Sequence, residues 1–93
     1  MKTIIEENYK SIVGRGLITP TTKLKDFIMK LKEEVNEFEE ACNNFLNKPT
    51  VKNDIALNEE LADVILVALN IAKHYNIDIE KELKDKIAKN FKR

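Results

Sequence analysis

Chain breakers are scarce: two glycines and two prolines stand among 93 residues. With so few, and with Leu, Ile, Ala, Lys and Glu abundant, an all-helical fold is favoured. Cys42 is the only cysteine, which excludes an intrachain disulfide and argues against a cysteine-based zinc site. It reads as a small core residue. No charge of either sign is in excess, because sixteen basic residues balance sixteen acidic ones. Bulk nucleic-acid or membrane-surface binding needs a basic surplus, so neither partner is expected. No apolar stretch reaches the ~18 residues of a membrane span, and no N-terminal run resembles a signal peptide. The expectation is a soluble, cytoplasmic protein.

What is present is a single globular domain over 1–93. Hydrophobic residues make up 43% and charged residues 34%, a globular rather than a disordered balance. A chain of this size buries only about 60–65% of its unfolded surface, so helices with wide apolar stripes would gain from an oligomer.

Four helices are expected. The first runs from about Thr3 to Val13 and stops at Gly14-Arg15-Gly16. The second runs from about Pro20 to Asn47, with Thr19 as cap and Pro20 at its first position. Its Leu24, Ile28, Leu31, Val35, Phe38, Cys42 and Phe45 recur at 4,3 spacing, one buried stripe close to a heptad seam. The third runs from about Ile55 to Tyr75, capped by Asn53 or Asp54. Its centre, LADVILVALNIA, is apolar nearly all round and so is expected to be buried on most sides. The fourth runs from about Ile79 to Phe91, capped by Asp78. His74, the only histidine, is assigned to the surface or to packing on the second helix.

Carboxylates carry the chemistry. Residues three apart on a helix lie about 60° apart and one turn along. Glu34 and Glu37 form such a pair, and Glu60 and Asp63 form another. Glu39 and Glu40 read as a solvated face. Asp63 interrupts an apolar run, where an unpaired carboxylate is costly and needs compensation. Glu60, Asp63 and Asn70 mark a narrow polar stripe. Taken alone, the glutamates of the second helix suit a solvated face. Two matched pairs on adjacent helices instead favour a divalent cation, and hard oxygen ligands select Mg²⁺ or Mn²⁺ over zinc. Near the end of the chain Lys86, Asn90 and Arg93 share one helix face, with Lys89 beside them. By themselves they would complement a helix C-terminus. Beside a metal they would supply donors to phosphate oxygens.

These motifs resemble the MazG family of nucleoside triphosphate pyrophosphohydrolases, within the all-α NTP pyrophosphatase superfamily. EEVNE is Glu33, Glu34 and Glu37, and EELAD is Glu59, Glu60 and Asp63. KIAKNFKR supplies Lys86, Asn90 and Arg93, and 22 residues separate Glu37 from Glu60. The resemblance implies an all-α, four-helix bundle-like unit that assembles as a homodimer or homotetramer, with sites often completed by a neighbouring subunit. It implies that Glu34, Glu37, Glu60 and Asp63 hold Mg²⁺, with Mn²⁺ an alternative. Glu33 and Glu59 would support the site, one acidic residue orienting or deprotonating the attacking water. Lys86, Lys89, Asn90 and Arg93 would contact the nucleoside triphosphate. The reaction would release pyrophosphate and leave a nucleoside monophosphate. Two other readings remain: a dUTP- or dCTP-directed pyrophosphatase of the same superfamily, and a non-catalytic helical oligomer that binds nucleotides or regulates. A di-iron bundle is disfavoured, because His74 lacks the Glu three residues upstream that such sites use.

Overall fold

A computed structural model describes Met1–Arg93 as four α-helices without strands: α1 (Lys2–Gly14), α2 (Leu24–Asn47), α3 (Val51–His74) and α4 (Ile79–Phe91). Local chemistry sets their ends. At the close of α1, Gly16 takes φ +74° and its N–H reaches Val13 O, while Leu17 N–H reaches Ile12 O. That is a Schellman stop, and a left-handed residue is what it requires. Asn76, at φ +55°, repeats the motif after α3, with Asn76 N donating to Lys73 O and Ile77 N to Ala72 O. Asp78 accepts from Lys81 N and caps α4, as the sequence indicates.

Two starts differ from the sequence reading. The second helix begins at Leu24, not Pro20, because Thr19–Thr22 close a turn. Thr22 N donates to Thr19 O, Thr19 N donates to Thr22 Oγ1, and Pro20 occupies the second turn position that its fixed φ suits. Asp26 then accepts from Lys23 N at the new helix start. The third helix begins at Val51, because Thr50 accepts from Asn53 N. The Asn53 side chain, not needed as a cap, donates its amide to Asn44 O and Lys48 O and pins the α2–α3 connection.

That connection is three residues long, so α2 and α3 form an antiparallel hairpin, the most extensively packed pair in the chain. The α2 residues facing α3 are Phe27, Leu31, Glu34, Phe38, Ala41 and Phe45, all buried or half-buried. They keep the 4,3 spacing but are not the stripe read from hydropathy. Leu31, Phe38 and Phe45 belong to both. Leu24, Ile28 and Val35 turn outward. The matching line on α3 is Leu57, Glu60, Val64, Val67, Ile71 and His74. The third helix is therefore not buried on most sides, and Leu61 and Ile65 are exposed, Ile65 to 50%.

The first helix packs on the C-terminal half of α3. Asn8 Nδ2 donates to Asn70 Oδ1 at 2.6 Å, and the Tyr9 hydroxyl meets His74 Nδ1 at 2.8 Å. His74 also lies 5.0 Å, ring to ring, from Phe27 of α2. Asn70 is thus a buried clamp between helices rather than part of an open polar stripe.

Four helices are present, but they do not close into a four-helix bundle. Every residue of α4 except Ile79 is exposed, and α4 packs extensively on no other helix. The radius of gyration is 15.4 Å. A compact domain of this length would have about 12 Å. The apolar edge that a bundle would bury on α4, Ile79, Leu83, Ile87 and Phe91, is exposed beyond Ile79. Replacing Asn8 with alanine leaves the buried Asn70 carbonyl oxygen unpaired. Urea denaturation should show a loss of about 1–3 kcal/mol, with secondary structure intact by circular dichroism.

Candidate metal centre

The heptad-like seam of α2 carries Phe27, then Glu34, then Ala41, at intervals of seven. Glu34 therefore sits in the middle of the α2–α3 interface and is only 7% exposed. Glu60, from the facing line of α3, is half-buried opposite it. Glu37 stands one turn beyond Glu34 on the open flank. One carboxylate oxygen from each of Glu34, Glu37 and Glu60 lies within 4.8 Å of the others. Three carboxylates at that spacing repel one another strongly where water is thin.

The local compensation is partial. Lys30 Nζ lies 3.1 Å from Glu34 Oε1 and 3.5 Å from Glu33 Oε2. The hydrogen bond to Glu34 raises the Lys30 pKa above its ordinary value, against an opposing effect of burial. Glu34 Oε2 and Glu60 Oε2 are both buried, and neither has a hydrogen-bond partner. A buried acceptor without a donor is costly. The negative charge of Glu34, with smaller effects from desolvation and Glu60, holds the Glu37 carboxyl above its usual range. Two orphaned oxygens and a raised carboxyl are what a hard cation would relieve, so the donor set fits Mg²⁺ or Mn²⁺.

The remaining site residues assigned from sequence fall elsewhere. Asp63 is exposed and is not one of the three converging carboxylates. The buried carboxylate that needs compensation is Glu34, with Glu60 beside it. The reason is that α2 covers only one stripe of α3, and Asp63 lies about 60° off Glu60, on the uncovered flank. Glu33 is exposed and shares Lys30, while Glu59 is exposed without an ion-pair partner. Lys86, Lys89 and Asn90 are exposed on α4 and Arg93 is exposed two residues past its end, so Arg93 does not continue their helix face; α4 shares no extensive packing with α2 or α3.

One group was not legible beforehand. A cavity of about 210 Å³ adjoins the acidic cluster and is lined by Glu37, Glu40, Asn44, Asn53 and Glu60. Glu40 is exposed, as the solvated-face reading has it, and also lines this cavity. The available signal was its spacing, since Glu40 and Asn44 continue from Glu37 at intervals of three and four. Glu39 stays exposed and outside the cavity.

A family model described as MazG nucleotide pyrophosphohydrolase domain matches residues 22–93, which is 72 of the 93 residues and takes in α2, α3 and α4. No curated protein and no solved structure matches the chain.

The raised Glu37 carboxyl has a stability consequence. The folded chain holds that proton more tightly than the unfolded chain, so stability falls as pH rises from about 4.5 through the folded value. Without divalent cations, thermal melts between pH 4.5 and 7 should show this decline. Either saturating Mg²⁺ or Glu37→Gln should flatten it.

Proposed function

We propose, for a chain that belongs to the MazG nucleotide pyrophosphohydrolase family, that it hydrolyses nucleoside triphosphates to a monophosphate and pyrophosphate in a divalent-cation-dependent reaction. The observation that carries this is the pair of buried, unpartnered oxygens of Glu34 and Glu60, converging with Glu37. A solvated acidic face has no reason to bury them.

Glu34, Glu37 and Glu60 would hold Mg²⁺ or Mn²⁺, and Asp63, one turn from Glu60, would complete the set. The bound cation would neutralise phosphate charge and lower the pKa of water at the site. Glu33 or Glu59, exposed at its edge, accepts the proton of the attacking water on a carboxylate oxygen. Attack at the α-phosphorus forms the new P–O bond and breaks the bond to the bridging oxygen, so pyrophosphate leaves. Lys86, Lys89, Asn90 and Arg93 donate to phosphate oxygens. Because α4 stands away from its own α2–α3 hairpin, that contact comes from a neighbouring subunit.

Assembly as a homodimer or homotetramer is supported by surface area. The chain exposes 7351 Å². A compact monomer of 10.8 kDa would expose about 5500 Å². The excess, about 1800 Å² per chain, matches what obligate interfaces bury. Helical rotation places Leu24, Ile28 and Val35 of α2 and Leu61 and Ile65 of α3 on the same side of the antiparallel seam. They make one continuous apolar face.

Pyrophosphate release from a panel of nucleoside triphosphates with Mg²⁺ tests the activity. Glu34→Ala, Glu60→Ala and Asp63→Ala should each abolish turnover while the helices stay folded, and Glu39→Ala should be nearly silent. Full activity in Glu60→Ala, or silence of the parent protein across the panel, would sink the assignment. For the assembly, light scattering should show an oligomer that Ile65→Glu reduces to monomer.

A further inference from the structure

One basic side chain belongs to the acidic cluster. Lys30 stands one turn before Glu34 on α2, with Nζ 3.1 Å from Glu34 Oε1 and 3.5 Å from Glu33 Oε2. The other ion pair of the chain, Lys81 with Asp85, lies on α4. Lys30 is thus the only basic side chain paired with the cluster. The two ends of its pair differ in exposure: 9% for the Glu34 side chain and 54% for that of Lys30. The ammonium therefore sits at the rim of the seam, paired inward and open outward. Helical rotation puts Lys30 about 40° and Glu37 about 60° from Glu34 in the same sense, so both border one flank. An ammonium carries three donors, and two carboxylate contacts leave one for a further acceptor.

Lys30 does not fill the place of a metal ion. It holds Oε1 of Glu34, whereas the buried oxygens without a partner are Glu34 Oε2 and Glu60 Oε2. A divalent cation on those two oxygens would have the ammonium as a neighbour, across the carboxylate of Glu34. Like charges at that range repel, and the burial of Glu34 limits screening. An arriving polyphosphate meets the reverse: a second positive charge beside the first, with a donor free for a phosphate oxygen.

We infer that Lys30 sets what the site prefers to bind, disfavouring the bare cation and favouring the cation together with a polyphosphate. The inference rests on the reading above that Glu34, Glu37 and Glu60 hold a divalent cation. In the metal-free chain Lys30 has a second task, since it compensates a carboxylate buried in the seam. Loading of the site is thereby tied to substrate, because a triphosphate brings its own divalent ion.

The test is isothermal titration of the full chain at low ionic strength, first with Mn²⁺ alone and then with inorganic tripolyphosphate at saturating Mn²⁺. Lys30→Met keeps the apolar stem and removes the charge. It should bind Mn²⁺ threefold or more tighter than the wild type, and tripolyphosphate threefold or more weaker. Lys30→Arg, which restores the charge, should stay within twofold of the wild type for both. The opposite signs separate charge from structure, because a variant that only loosened the seam would weaken both ligands. If Lys30→Met does not fold without metal, Lys30→Gln removes the charge while keeping an amide donor, and the same pair of shifts is expected. An unchanged affinity for either ligand, a shift of both in one direction, or a wild type that binds Mn²⁺ but not tripolyphosphate would overturn the role of Lys30 and leave the cation site standing. Absence of saturable Mn²⁺ binding by the wild type would overturn both.

Discussion

The fold turns on two carboxylates placed where a hairpin would ordinarily put leucine. The seam between α2 and α3 follows a 4,3 pattern on both helices. It includes Glu34 on one side and Glu60 on the other. Each leaves one buried oxygen without a partner. Removing carboxylates from water is costly, and facing them across an apolar seam adds repulsion. Lys30 offsets part of this at one oxygen of Glu34. A cation in the seam would relieve this cost, and the proposed chemistry builds on that fit. The same cation that would satisfy the orphaned oxygens would also counter the charge of a polyphosphate.

A second constraint is what the single chain leaves uncovered. Only eight residues are buried, and none of the large side chains is fully enclosed. The outward stripe of α2, the outward stripe of α3 and the Leu83, Ile87 and Phe91 edge of α4 are apolar and exposed. A second subunit seated on the hairpin would cover the first two.

The helices and their end signals were largely legible beforehand, and the errors have specific causes. Asp78 as cap and Gly16 as stop are local signals that nothing distant overrides. The start of α2 was misplaced because Pro20 suits a turn as well as a first helical position, and the hydrogen bonds of Thr19 and Thr22 decide for the turn. The seam was misread by one residue because α2 has a broad apolar stripe. Leu31, Phe38 and Phe45 serve either edge. Hydropathy favours the edge with Leu24, Ile28 and Val35, whereas α3 packs on the edge that contains Glu34. That shift exchanged the roles of the acids: Asp63, expected to be buried, is exposed, and Glu34, expected on a flank, is interior. The cavity that Glu40 lines could not be read in advance, because it exists only once α3 lies alongside.

Isothermal titration of Mn²⁺ into the metal-free protein addresses the central claim most directly. Saturable binding to the wild type, weakened tenfold or more in Glu34→Gln and in Glu60→Gln with the helices intact, is the predicted result. Absence of saturable binding, or an affinity indifferent to both substitutions, would contradict the view that the α2–α3 seam is built around a divalent cation.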